Sequence, residues 1–139
     1  MPTPADTGSN SGVHTGANPG TNIGTNIGTN LGIEADALTQ QHCEHRAAPM
    51  AADELARHLA RVPAWSAEEG MLERRFEFAD FHATMAFVNA VAWIAHREDH
   101  HPDLLVGYGQ CTVRWRTHSA GGITLNDFIC AARVDALNP

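Results

Sequence analysis

The amino-acid sequence predicts an α+β fold, a small antiparallel β-sheet with helices packed on one face, preceded by a disordered N-terminal tail. Three observations carry this reading. The composition changes sharply before residue 48, residues 80–99 repeat apolar side chains at helical spacing, and residues 110–118 alternate between apolar and polar. Residues 1–47 are therefore assigned to the tail and 48–139 to one domain with element order α-β-α-β-β-α.

The tail is rich in Gly, Asn, Thr, Ser and Pro, and contains the tetrads Gly20-Thr21-Asn22-Ile23, Gly24-Thr25-Asn26-Ile27 and Gly28-Thr29-Asn30-Leu31. One small apolar residue in each tetrad buries too little surface to offset the entropy of ordering the chain. The repeat is far shorter than a solenoid unit. No strand precedes it and no Gly-Lys-Ser/Thr follows, so it is no phosphate loop.

Within the domain, Leu55, Leu59 and Val62 give residues 53–62 a helical spacing that Pro63 ends, and Trp65 is expected to plug the core. Residues 71–78 read as a half-buried strand with Phe76 and Phe78 on one face. Asp80 is the expected N-cap of the longest helix. There Phe81, Met85, Val88 and Ala92 form one face, widened by Phe87, Val91 and Ile94, and Pro102 marks the end after about Asp99. Residues 104–108 read as a short strand, and Gly107 and Gly109 as a bend. In residues 110–118, Cys111, Val113, Trp115 and Thr117 share a face opposite Gln110, Thr112, Arg114, Arg116 and His118. After the turn Ser119-Ala120-Gly121-Gly122, Thr124 and Asp127 resemble a capping box. The final helix, to about Leu137, presents Phe128, Ala131, Ala132 and Val134.

Composition narrows the function. A net charge of −7, from nine Lys plus Arg against sixteen Asp plus Glu and with no basic run, argues against direct nucleic-acid binding. No apolar stretch is long enough to cross a bilayer, and residues 1–6 lack the charged and apolar regions of a signal peptide. Three cysteines, Cys43, Cys111 and Cys130, have neither metal nor redox spacing. They are expected to be reduced thiols of a cytoplasmic protein, with Cys111 and Cys130 packing as small apolar groups.

The chemistry concentrates in Glu98-Asp99-His100-His101-Pro102-Asp103 and in His118 at the end of the next strand. Imidazole gives and takes protons near neutral pH, so two adjacent histidines with a third nearby suit acid–base catalysis. The competing reading is a solvated helix end, where cationic residues and a following proline are common.

In these residues the chain resembles the pterin-4a-carbinolamine dehydratases. The family pattern is met by His96, His100-His101-Pro102, Tyr108, His118 and Asp127. It is flanked by Phe76-Glu77-Phe78-Ala79-Asp80-Phe81, Thr117-His118 and Gly122-Ile123-Thr124-Leu125-Asn126-Asp127. The resemblance covers residues 52–137. It departs at the first position, most often Glu in the family and here His96, which replaces an acceptor carboxylate with a group able to donate. Leu104 also stands where some members carry an aromatic residue.

This resemblance implies dehydration of a 4a-hydroxytetrahydropterin to quinonoid dihydropterin and water, within tetrahydrobiopterin recycling. No cofactor and no metal are required. His101 and His118 are the implied principal proton-transfer groups, and His100 a substrate contact and secondary acid or base. Asp99, Asp127 and His96 are the implied substrate-binding residues. Asp127 also reads simply as a helix cap, Asp99 as a solvated charge, Tyr108 as a strand aromatic, and Arg114 and Arg116 as a solvated strand face. The expected partners are a pterin substrate, a second copy in a homodimer or homotetramer, and a hydroxylase or regulator.

Two rival readings remain. His96 and His100 are spaced i, i+4 on a helix, so with His118 they could ligate a metal. However, Glu98 sits one place late for a His-Glu-x-x-His motif. The other rival is a non-enzymatic dimerisation or assembly cofactor, a role the resemblance also allows. His14, His42, His45, His58 and His82 are expected at the surface, and Cys111 and Cys130 lack the flanks of a catalytic thiol.

Overall fold

The computed structural model describes residues 37–139; the tetrad repeats and His14, with the disorder expected of them, lie outside the described residues. The elements are α1 (Ala52–Leu59), β1 (Ser66–Glu68), β2 (Met71–Glu77), α2 (Phe81–Glu98), β3 (Asp103–Val106), β4 (Gln110–Trp115) and α3 (Leu125–Asp135). A single turn of 3-10 helix, His118–Ala120, joins β4 towards α3.

The four strands form one sheet in the order β1-β2-β4-β3, with every neighbouring pair antiparallel. The α+β class expected from the sequence is thus the observed one, with one added strand. Strand β1 escaped the sequence reading because Ser66-Ala67-Glu68 has no apolar alternation. It exists because Glu69 and Gly70 both adopt positive φ, 51° and 74°, and close a two-residue hairpin into β2.

Register decides which face is buried. Leu72 lies opposite Trp115 and Phe76 opposite Cys111, and these four side chains are buried with Val113 beneath the helices. One residue out of phase, Glu73 faces Arg114 and forms an ion pair with it on the outer surface. At the core end of α3, Asp135 accepts from the Trp65 indole Nε1–H at 2.8 Å and from Arg74 at 2.5 Å. Trp65, expected in the core, is there.

Helix α2 starts where Asp80 Oδ1 accepts the Ala83 N–H at 2.8 Å. Its buried stripe is Thr84, Phe87, Val91, Ala95 and Glu98, which includes the expected Phe87 and Val91, with Val88 and Ile94 packed beside it, but leaves the expected Phe81 and Ala92 exposed. Two polar anchors turn the helix. The Thr84 hydroxyl donates to the Asp80 and Tyr108 carbonyls at 2.9 and 3.0 Å, and Glu98 is bonded inward at the other end. Phe81 is left 47 % exposed. Gly109 is required by contact: a Cβ there would lie 2.9 Å from the Phe78 carbonyl oxygen.

The sequence boundary at residue 48 falls inside packed chain. Leu38 is fully buried in the core, and residues 41–44 lie as a strap across the ends of α2 and α3. The strap is fixed largely through its main chain. Cys43 N–H donates to Glu98 Oε2 at 3.0 Å, and the Gln41 carbonyl accepts from Arg133 at 2.7 Å. Glu44 exchanges two bonds with the Asn126 carboxamide, N–H to Oδ1 at 2.9 Å and Nδ2–H to its carbonyl at 2.8 Å.

Candidate active site

Helix α2 ends in a tight reversal that separates the two adjacent histidines. The N–H of Asp99 donates to the His96 carbonyl and that of His100 to the Ala95 carbonyl, at 3.4 and 3.1 Å, with Asp99 left-handed at φ 47°, ψ 41°. This is the bonding pattern of a Schellman motif, with Asp at the position glycine usually fills. The reversal sends the His100 ring inward and leaves His101 exposed.

His100 enters a pocket of polar groups beneath Trp115. Its ring lies 5.4 Å from that of Trp115 and 13° from parallel, and its Nε2–H donates to Asp127 Oδ1 at 2.7 Å. Asp127 is fully buried, and its Oδ2 accepts from the Thr124 N–H at 2.7 Å and the Thr117 hydroxyl at 3.0 Å. Thr124 Oγ1 stands 2.7 Å from Thr117 Oγ1 and accepts from the Asn126 N–H at 3.2 Å. With the Thr117 proton given to Asp127, the Thr124 hydroxyl donates to Thr117, and every oxygen in the chain is satisfied.

Asp127 therefore joins three elements: the end of α2 through His100, the end of β4 through Thr117, and the start of α3 through its own capping box. His118 follows Thr117 directly and is exposed, as is His101 beside His100. Asp103 pairs with Arg114, so the residues entering β3 lie alongside those leaving β4. His100 and Asp127 thus belong to one buried network with Thr117, and the exposed His101 and His118 each follow a member of that network in the chain.

The other predicted residues are placed differently. Asp127 has both oxygens occupied and no exposed surface, so it acts on a bound molecule only through His100. Asp99 is exposed and sits at the left-handed turn, facing a polar pocket of about 200 Å³ shared with His42, Cys43 and His45. His96 is on the exposed side of α2 against Trp93, ring centroids 5.8 Å apart. Tyr108 is at the far end of β3, 73 % exposed and stacked on Phe81 at 6.5 Å. Arg114 is held by Glu73, and Arg116 donates to the Gly121 carbonyl at 3.4 Å. Among the described residues no group of three or more His, Cys, Asp or Glu is placed to hold a metal ion, and the i, i+4 pair His96 and His100 does not converge.

Several contributors carry no sequence signal of their own. Glu98, a charged residue with a side chain 1 % exposed, is bonded by His42, Cys43 N–H and Arg133. Trp115 and Thr117 are ordinary strand residues until the strand is laid beside α2. Two histidines expected at the surface are engaged. His42 pairs with Glu98 at 3.2 Å, and His58 packs its ring on Phe128, centroids 5.2 Å apart. Burial, then the Arg61 charge, pushes the His58 pKa below its ordinary value. Cys111 and Cys130 are buried as expected, and burial pushes the Cys111 thiol up.

Known proteins resemble this chain. A relative from Stenotrophomonas maltophilia is 59 % identical over 85 residues, covering 60 % of this chain and 73 % of its own. One from Xanthomonas campestris pv. campestris is 53 % identical over 105 residues, covering 72 % and 89 %. One from Nitrosospira multiformis is 46 % identical over 95 residues, covering 68 % and 84 %. All three bear the name "Putative pterin-4-alpha-carbinolamine dehydratase". A crystal structure described as a transcriptional coactivator/pterin dehydratase from Brucella melitensis superposes with a TM-score of 0.63 at 27 % identity, over 66 % of this chain and 99 % of that one. The profile of the family described as pterin 4 alpha carbinolamine dehydratase matches residues 48–137, which include His100, His101, His118 and Asp127, and the chain belongs to that family.

Proposed function

We propose that the protein dehydrates a 4a-hydroxytetrahydropterin to quinonoid dihydropterin and water by histidine general acid–base catalysis, without metal or cofactor, in tetrahydrobiopterin recycling. The observation that carries this reading is the 2.7 Å bond from His100 Nε2 to the buried Asp127, which fixes one imidazole next in the chain to the exposed His101. The reaction breaks the C4a–O bond and forms a C4a–N5 double bond. The N5 lone pair expels the hydroxyl, one imidazolium protonates it to water, and one neutral imidazole takes the N5 proton. His101 and His118, both exposed, are assigned these transfers, each contributing on the order of 10²–10⁴ in rate. His100, with Nε2 committed to Asp127, keeps Nδ1 for substrate contact or a secondary proton transfer. Asp99 and His96 are assigned to substrate binding on the family resemblance, and Asp127 is a positioning residue.

A second reading, a dimerisation or assembly cofactor for a hydroxylase or regulator, draws on the coactivator description of the Brucella melitensis protein and on the apolar edge of β3. There Leu105 and Val106 are 47 % and 44 % exposed beside a free strand edge, which suits a homodimer or homotetramer. No helix among the described residues is long and apolar enough to cross a membrane, in keeping with the cytoplasmic site of action proposed for this chemistry.

The deciding experiment follows freshly generated 4a-hydroxytetrahydropterin in the ultraviolet after chelator treatment, for the wild type and His101→Ala. Turnover that survives chelation and falls at least about tenfold in the variant is the expected result. A wild-type rate no faster than the uncatalysed background overturns the enzyme reading and leaves the binding role.

A further inference from the structure

We infer that Cys43 and Cys130 form a peroxide-responsive thiol pair whose oxidation ties the strap covalently to α3. The two Sγ atoms stand 3.6 Å apart, between residues 87 positions apart in sequence. A disulfide needs only about 1.5 Å of further approach between the two sulfurs.

The two thiols are not equivalent. Cys130 is fully buried, one turn beyond Asn126 in α3. Cys43 is half-buried and lines the polar pocket of about 200 Å³ together with His42, His45, Arg97 and Glu98. The Cys43 S–H points to the Asn126 carbonyl at 3.7 Å, so the hydrogen bond between the sulfurs is donated by Cys130. That hydrogen bond, then burial, pushes the Cys130 thiol far up. Cys43 is accordingly the attacking thiol and Cys130 the resolving one.

Hydrogen peroxide is the oxidant. The Cys43 sulfur, as thiolate, attacks one peroxide oxygen and the O–O bond breaks. The departing hydroxide takes up a proton and leaves as water, and Cys43 becomes a sulfenic acid. The Cys130 sulfur then attacks that of Cys43, the S–O bond breaks, and the Cys130 proton leaves with the hydroxyl as a second water. Two thiols lose two electrons and two protons, and one peroxide becomes two waters.

The cross-link would act where the site is held. Cys43 N–H bonds Glu98, two residues before His100, and Asn126, whose carbonyl Cys43 bonds, precedes Asp127. Oxidation gives up the Cys43 S–H bond to the Asn126 carbonyl and replaces it with a covalent tie from the strap to the middle of α3, while the Cys43 N–H remains available to Glu98 at the end of α2.

The full chain, reduced and then exposed to excess hydrogen peroxide, is alkylated and mapped by peptide mass spectrometry with thermal melting alongside. The expected product joins Cys43 to Cys130 with loss of two hydrogens, leaves Cys111 alkylated, and melts about 5 °C or more higher until dithiothreitol reverses it. In Cys130→Ala the expected product is a Cys43 sulfenic acid trapped by dimedone, with no rise in Tm. In Cys43→Ser, Cys130 stays alkylatable, which keeps the test open if the buried variant misfolds. Over-oxidation of wild-type Cys43 beside a free Cys130, a link through Cys111 or between chains, or no oxidation of either thiol would each overturn the inference.

Discussion

Asp127 holds His100 Nε2 through Oδ1 at 2.7 Å, while its Oδ2, 2.7 Å from the Thr124 N–H, closes the first turn of its own helix. One carboxylate thus caps α3 and orients an imidazole that belongs to α2. The two duties can be separated by mutation.

In Asp127→Asn the carboxamide keeps an oxygen for the Thr124 N–H but turns an NH2 towards His100, forcing the opposite imidazole tautomer. The expected result is a kcat lower by about 10–100-fold with the fold intact. Asp127→Ala also loses the cap and strands buried donors, so it should be destabilised by about 2–4 kcal/mol. Urea unfolding and steady-state dehydration of both variants measure the split; wild-type kcat in Asp127→Asn would remove the pair from catalysis.

Asp99 is the one non-glycine residue of the site with a left-handed backbone. Asp99→Gly should raise stability by up to about 1 kcal/mol, because glycine adopts that conformation without a Cβ penalty. Since the proposed site also gives Asp99 a substrate contact, the same variant separates shape from contact. An unchanged KM in a stabilised protein assigns Asp99 to the turn alone, and a raised KM at constant kcat assigns it to binding.

The strap gives a third expectation. Removing residues 1–47 takes away the fully buried Leu38 and two of the partners of Glu98, leaving Arg133 at 3.3 Å. Loss of the leucine alone corresponds to about 1.5–3 kcal/mol, read as a lower urea midpoint than that of the full chain. A midpoint unchanged by the truncation would mean that the strap rests on the domain without supporting it.

His58 supplies a pH dependence. Burial, then the Arg61 charge, hold its folded pKa below the ordinary 6.5, so the unfolded chain binds more protons between the two values. Its contribution to stability is full above the ordinary pKa and is lost as pH falls through that window. Melting curves between about pH 8 and pH 5 should decline less steeply in His58→Gln than in the wild type. Equal slopes would place the acid sensitivity elsewhere.

Sequence pattern was informative where burial is periodic. The alternation in residues 110–115 gave the core face of β4 directly, and Thr124 with Asp127 gave the cap of α3. It was less informative where a polar group decides packing. Phe87 and Val91, expected on the apolar face of α2, are buried, but Phe81, expected to lead that face, is exposed because Thr84 and Glu98 turn the helix inward on their own side. The histidines were conspicuous in the sequence by residue type and spacing alone. Their asymmetry, one imidazole anchored and two exposed, depends on a left-handed Asp99 and on Thr117, neither of which has a pattern to read. Asp127 reads in the sequence as a substrate-binding residue or as a helix cap, and the structure shows the cap together with a bond to the His100 imidazole.

The strap exposes a separation between docking information and the segment docked. Glu98, Asn126 and Arg133 grip peptide groups at Cys43, Glu44 and Gln41, so the Asn126 carboxamide works as a detached peptide unit completing a bridge with residue 44. Much of the address is written in the receiving helices, and at residues 41 and 44 the arriving segment answers with its backbone alone. Residue 44 is thereby interchangeable with any residue bearing an N–H, whereas at 126 even an isosteric aspartate would put an acceptor against the Glu44 carbonyl.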